Sequence, residues 1–194
     1  MAHRRYCLLF TLMLTACLAL SCGNGWQKQA HFTPEQQALA DSGWVKTAPK
    51  PGDMPEHYGV YSKRGLTHNS FLINLEPGMS AMAIKIISAE DSTCQRYIFA
   101  EAGTITEVSQ IRPGTYYLLM THGRDWMEQP AAIGQMTKGK FTREARYERS
   151  AIDFIFPNAT DTIQYEVLVR THGSERTYNF PVGAVEETAF VGVR

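Results

Sequence analysis

The stretch that decides the fold is residues 112–126, RPGTYYLLMTHGRDW. It opens with a turn signal, because Pro113 presets the backbone for a turn and Gly114 completes it without steric cost. In the extended chain that follows, Tyr116 and Leu118 point to one face while Tyr117 and Leu119 point to the other. Because both faces are apolar, this pattern predicts a strand at the centre of a sheet.

Other parts of the chain show the two-residue period of strands, with glycine and proline between the runs. The alternating apolar positions are Phe71, Ile73 and Leu75; Met82, Ile84 and Ile86; Ile152, Phe154 and Phe156; and Ile163, Tyr165, Val167 and Val169. Short strands at this spacing with almost no helix predict a single antiparallel β-sandwich of about seven to eight strands. They argue against a parallel sheet with crossover helices.

Upstream of the strands, residues 33–43 predict one short helix. Thr33 is suited to the N-cap, Pro34 to the first helical position, and Gly43 to the stop. Three prolines between residues 49 and 55 then exclude a continuing helix. We therefore expect a signal peptide at residues 1–21, a tether with a short helix and a Pro-rich linker at 22–56, and the β-sandwich at 57–194.

The first residues have the pattern of a secretory signal. His3, Arg4 and Arg5 precede an apolar run over residues 6–20, which is too short to span a bilayer as a stable helix. Removing residues 1–21 takes away Arg4 and Arg5 and no acidic residue, so the net charge changes from 0 to −2. This charge does not indicate a nucleic-acid partner.

The end of the signal, LTACLALSC at residues 14–22, resembles the lipobox of bacterial lipoproteins. In that family small residues precede a cysteine that is lipidated and becomes the first residue of the mature protein. The resemblance implies a palmitate-type lipid on Cys22, with Cys17 as the alternative. Lipidation at Cys22 leaves a polar start, GNGWQKQ, which is suited to a tether that leaves a membrane. It also implies a cell-envelope location, with the outer membrane as the expected membrane.

The strand region resembles transthyretin-like and carboxypeptidase-regulatory-like β-sandwich modules, in which a PGxY turn enters an inner strand. More narrowly, residues 96–126 and 141–156 are similar to a small, functionally uncharacterised bacterial domain with a PGTY … GxDW pattern. The resemblance implies the fold and is nearly silent on function. The long insert after Trp126 departs from the pattern.

A catalytic role has one set of candidate residues at the predicted strand ends. His122, Asp125 and His172 are the residues that a small hydrolase or metal-dependent enzyme of the envelope would use, and His68 lies at another strand end. The chain lacks the G-x-S-x-G, H-E-x-x-H and C-x-x-C motifs that would support such chemistry. We therefore predict no catalytic residue, no metal site and no cofactor. Cys94 is expected to be a small buried apolar residue rather than a reactive thiol.

Residues 126–150 form the longest stretch without a clear period, and they are rich in lysine and arginine. One interpretation is a surface that contacts a partner protein or glycan of the envelope. Its candidate residues are Arg124, Asp125, Trp126, Lys138, Lys140, Arg143 and Tyr147. The other is a charged edge strand over residues 141–149 that resists pairing with other chains.

The sequence therefore favours a membrane-anchored, non-enzymatic module that binds a partner or assists assembly in the envelope. A carbohydrate-binding sandwich is a further alternative, and it requires Trp126 and Tyr147 to be exposed for stacking.

Overall fold

The computed structural model describes residues 32–172 and 175–193, without the side chain of residue 172. The helical elements are α1 (Pro34–Asp41), a 3-10 turn (Glu56–Tyr58) and α2 (Glu187–Val191). The strands are β1 (Val45–Lys46), β2 (Gly52–Asp53), β3 (Ser70–Leu75), β4 (Met82–Ser88), β5 (Cys94–Ala100), β6 (Ile105–Val108), β7 (Gly114–Gln129), β8 (Lys138–Ser150), β9 (Phe154–Phe156), β10 (Gln164–His172), β11 (Glu175–Tyr178) and β12 (Val182–Ala184).

The strands form two sheets, which confirms the predicted mainly β sandwich. The larger sheet has eight strands in the order β12-β8-β7-β4-β5-β2, with β1 and β9 also paired to β7. The smaller sheet has four strands in the order β11-β10-β3-β6. The strand count exceeds the expected seven to eight, in part because β1, β2 and β12 have only two or three residues, too few to show a period. One pair, β3 with β10, is parallel.

An inner core lies between the two sheets. It is built mainly from aliphatic side chains and phenylalanines, including Phe71, Ile73, Leu75, Ile84, Ile86, Leu118, Met120, Phe154, Phe156, Val167 and Val169. These are the positions that the two-residue period predicts. Ile152 is the exception, since it lies 40% exposed beyond the end of β8.

A second cluster, the outer core, covers the opposite face of the larger sheet. It is rich in aromatic side chains and includes Met54, Tyr58, Tyr97, Phe99, Leu119, Trp126, Phe141 and Phe190. Its cover consists of residues 54–60 and helix α2 rather than a third sheet. Because each face of the larger sheet has its own core, β7 is apolar on both faces, and the predicted central position of this strand is confirmed.

Strands β7 and β8 form the longest ladder of the molecule and bend at a bulge. The register shifts between His122 and Arg124, and Asp125 has a positive φ of 55°. An added Cβ on Gly123 would lie 2.7 Å from Cβ of Phe141 and 2.8 Å from the carbonyl oxygen of Arg143. Glycine is therefore required here, because any larger residue would push the two strands apart.

Helix α1 begins and ends where its sequence predicts. Thr33 is the N-cap of a capping box with Gln36, Pro34 is the first helical residue, and Gly43 has a φ of 90° after the helix. The Pro-rich segment that follows, expected as a linker, packs on the larger sheet. Strand β1 pairs with β7 and β2 pairs with β5, and Arg96 makes two hydrogen bonds of 2.7 and 2.8 Å to the Asp53 carboxylate.

The predicted signal peptide and both candidate lipidation residues, Cys17 and Cys22, lie outside the described residues. Over residues 32–172 and 175–193, the structure contains no helix of the length and hydropathy needed to cross a membrane.

Candidate functional site

An open cleft of ≈ 590 Å³ lies over the outer core. Four aromatic residues contribute to its walls: Trp44, Tyr58, Tyr97 and Phe190. Residues 134–140 form another side, and helix α2 contributes Glu187 and Val191. Pockets of about 300–1,000 Å³ that combine apolar walls with a few polar groups are typical of ligand sites. This cleft is therefore the candidate site.

The aromatic side of the cleft depends on one glycine. An added Cβ on Gly139 would lie 2.9 Å from Cε1 of Tyr58 and would also collide with the ring of Trp126. Tyr58 packs edge-on against Tyr97, with 5.9 Å between the ring centroids. The pKa of Tyr58 is raised, first by burial and then by the nearby Glu128 carboxylate. Its hydroxyl is therefore uncharged at neutral pH.

A buried lysine holds the C-terminal segment beside this cleft. Lys85 is 6% exposed, and its ammonium donates hydrogen bonds of 2.8 Å to the Phe190 carbonyl and 2.6 Å to the Val193 carbonyl. The same ammonium lies 4.9 Å from the centre of the Phe190 ring and 5.2 Å from that of Tyr97. These cation-π contacts and hydrogen bonds replace the water that burial removes from the charge.

Both lysines of the predicted surface, Lys138 and Lys140, line the cleft. The ammonium of Lys140 lies 3.6 Å from the Glu187 carboxylate and 5.7 Å from the centre of the Trp44 ring. Lys138 is exposed at the same wall, and in the described part of the chain it forms no ion pair. The cleft therefore has an uncompensated positive charge near its aromatic walls.

Asp125 lies in a different place, where it fastens helix α1 to the bulge of β7. Its carboxylate is 2.5 Å from the ammonium of Lys46, accepts a 3.1 Å hydrogen bond from Gln36, and lies 3.3 Å from Arg143. Gln36 is 2% exposed and donates a second bond, of 2.9 Å, to Thr142. The hydrogen bond from Lys46 is the main reason that the pKa of Asp125 is lowered.

Two of the remaining surface residues are engaged in packing. Trp126 is 3% exposed, packs against Phe141 with 4.9 Å between ring centroids, and donates a 3.2 Å hydrogen bond to Glu128. Tyr147 is half-buried against Phe190, and burial raises its pKa to about 12. The exposed stacking platform that a carbohydrate-binding role requires at Trp126 is therefore not present. Arg124 is exposed and lies 3.5 Å from the Glu144 carboxylate.

The structure does not bring His122 and Asp125, two of the candidate catalytic residues, into contact. His122 is 2% exposed and faces Glu148, with 3.4 Å between Nε2 and Oε2. Neither ring nitrogen has a hydrogen-bond partner within residues 32–172 and 175–193, while the Tyr178 hydroxyl donates to the same carboxylate. Among the described residues no hydrogen bond or ion pair links His122 to Asp125. The side chain of His172 lies outside the described residues.

Metal-ligating side chains do not cluster in the described part of the chain, where no group of three His, Cys, Asp or Glu residues is placed to hold an ion. His68 is exposed. Cys94 is a free, buried thiol, 3% exposed, and burial raises its pKa to about 12. The burial confirms the prediction of a small buried apolar residue, and the raised pKa keeps the thiol protonated at neutral pH.

Sequence reasoning missed the two side chains that organise the outer face. Lys85 interrupts the otherwise apolar run MAIKII of β4, and a lysine inside a strand that is apolar on both faces was a usable signal. Gln36 occupies the N3 position that follows a threonine N-cap, which predicts a capping role but not the contact with Asp125. Trp44 gives no periodic signal, because it stands between α1 and β1.

Comparison with protein-family models finds no matching family, and comparisons with curated proteins and with solved structures find no significant similarity. The resemblances to lipoprotein signals and to transthyretin-like modules therefore stay predictions from the sequence.

Proposed function

We propose that this protein is a lipid-anchored, non-enzymatic module that binds a component of the bacterial cell envelope. The observation that carries the proposal is the open cleft over the outer core, because it combines aromatic walls, unpaired positive charge and ligand-sized volume. The lipobox-like end of the signal supports anchoring through Cys22, with the outer membrane as the expected location.

The position of helix α1 also supports a tethered domain. The predicted tether ends at Thr33, where the capped helix begins, and Gln36 and Asp125 fasten that helix to the larger sheet. Because this helix is docked on the sheet, the predicted tether would be attached directly to the folded domain. This arrangement suits a module that presents one face to a partner in the envelope.

The anchoring part is tested by labelling cells with an alkyne fatty acid and fractionating their membranes. We expect Cys22→Ala to lose the label and leave the membrane fraction, while the matched variant Cys17→Ala keeps both. If Cys17→Ala loses the label instead, the lipid is on the alternative cysteine. If the label and the fractionation persist in both variants, lipid anchoring is wrong.

The accessory part is tested by in-cell crosslinking of the native protein, followed by affinity capture and mass spectrometry. Wild-type protein should enrich an envelope component that the Cys22→Ala form, displaced from the membrane, does not enrich. The variant Val191→Asp, which places a charge on the cleft wall without disturbing a buried side chain, should reduce this enrichment. Equal capture by wild type and both variants would contradict a cleft-mediated envelope role.

A further inference from the structure

We infer that the cleft over the outer core binds single-chain anionic amphiphiles: molecules with an apolar chain and one carboxylate or phosphate head. This inference rests on the proposed binding role and names the ligand chemistry of the same site.

The walls of the cleft match the apolar part of such a ligand. Tyr58 and Phe190 are buried in the outer core, and Trp44 is half-buried at its border. Met136 and Val191 remain 41% and 48% exposed on the cleft lining. Apolar side chains left in water beside aromatic walls gain free energy when an apolar chain covers them.

The polar groups match the head of the ligand. Three lysines and one carboxylate contribute to the lining. Lys85 already donates hydrogen bonds to two carbonyls of the C-terminal segment, and Lys140 already forms an ion pair with Glu187. Lys138 is the lysine that remains to pair with an anion, and the other two add to the positive potential around it.

The alternatives fit less well. A cationic head would meet three ammonium groups against one carboxylate that already faces Lys140. A small inorganic anion would find a single exposed lysine and leave the aromatic walls uncovered. A neutral sugar would leave the charge of Lys138 unpaired, and three of the four aromatic walls, Tyr58, Tyr97 and Phe190, are buried rather than open for stacking. An amphiphilic anion uses both the walls and Lys138.

The experiment uses the full-length protein in nanodiscs of neutral lipid and a dodecanoic acid that carries a photoreactive diazirine. After irradiation, crosslinks are mapped by mass spectrometry. We expect them in residues 134–140 and 187–191. Dodecanoate or dodecyl phosphate should compete, and their relative strength distinguishes a carboxylate source from a phosphate source. Dodecyltrimethylammonium and inorganic phosphate should not compete.

Variants locate the site. Lys138→Gln should reduce cleft labelling about threefold to fivefold, since it removes one partly exposed charge pair. Val191→Asp should reduce cleft labelling at least about tenfold, because it places a negative charge against the apolar chain of the ligand. Lys50→Gln removes a charge of the same sign from an exposed residue outside the cleft and should leave labelling unchanged.

Labelling spread evenly over the surface would overturn the inference, as would equal competition by the cationic amphiphile. Equal losses in Lys138→Gln and Lys50→Gln would overturn it too. None of these results bears on the lipid at Cys22, which the fatty-acid label tests separately, so failure of the ligand class is distinguishable from failure of the anchored role.

Discussion

The two faces of the larger sheet carry cores of different kinds. On the inner face, the smaller sheet supplies a regular second layer, and side chains such as Leu118 and Met120 are almost completely buried. On the outer face, irregular segments and a five-residue helix form the cover. A sheet can cover a sheet along its whole length, whereas these segments leave a cleft beside them. The inner face is therefore closed by a regular layer, whereas the outer face has an irregular cover that leaves a cleft of ligand size.

The largest difference is expected from two neighbouring leucines of β7 that point to opposite faces. Leu118→Ala should lower the free energy of unfolding by about 3–4 kcal/mol, because its cavity opens between two sheets that cannot collapse into it. Leu119→Ala should cost about 2 kcal/mol, since the looser outer cover can relax. Urea unfolding of both variants measures the difference. If Leu119→Ala lowers the free energy of unfolding as much as Leu118→Ala does, the two cores are equally rigid around a cavity. That result would contradict the difference drawn between the two faces.

The next effect concerns the cover of the outer core. Phe190→Ala should cost about 2 kcal/mol, less than the ~3–5 kcal/mol of an enclosed phenylalanine, because a terminal helix detaches without opening the inner core. Hydrogen exchange should accelerate at residues 187–193 and stay unchanged in β3 and β10. Faster exchange in β3 and β10 would show instead that the two cores unfold as one unit.

A smaller effect is expected where helix α1 meets the bulge. Asp125→Asn should cost about 1–2 kcal/mol, because it weakens the charged hydrogen bond from Lys46. The folded-state pKa of Asp125 is lowered, so its contribution is present above its unfolded pKa of about 4 and is lost as the pH falls through the folded value.

Urea unfolding between about pH 6 and about pH 2 measures this contribution. The difference in stability between wild type and Asp125→Asn should shrink toward the acid end. Asp153→Asn, at an exposed carboxylate elsewhere, serves as the control and should show no such trend. A difference that stays constant with pH would mean that the charge of Asp125 does not help to hold α1 and β1 at the bulge.

The smallest effect on stability is expected in residues 130–137, the segment before β8. Ile133 is fully exposed in the segment before β8, so Ile133→Ser should change the free energy of unfolding by less than about 0.5 kcal/mol. Ile105→Ser, at an exposed position of the smaller sheet, should behave the same way. A large loss at Ile133 alone would show that residues 130–137 are part of the outer core's packing.

The inner core was predictable from the sequence because its strands follow one simple rule. Every second residue of β3, β4, β9 and β10 points between the sheets, so Phe71, Ile84, Phe154 and Val167 were identified by period alone. Helix α1 was equally predictable from its cap, its proline and its terminal glycine.

The outer face was not predictable in the same way, because its cover comes from segments that are distant in sequence and have no period. Helix α2 contacts Lys85, which lies about a hundred residues earlier in the sequence. No local pattern in either segment indicates that the two segments are in contact. Lys138 and Lys140 were identified as candidate binding residues from charge. Trp126 was assigned to the same surface, but it lies beneath it, since exposure depends on tertiary packing rather than residue type.

Hydrogen exchange of the full-length protein, with and without dodecanoate, tests most directly that the outer face is the binding face. We predict slower exchange at residues 134–140 and 187–191 in wild type, a weaker effect in Lys138→Gln, and no change in β3 or β10. Slower exchange in β3 and β10, or identical protection in wild type and Lys138→Gln, would contradict the assignment of binding to the cleft.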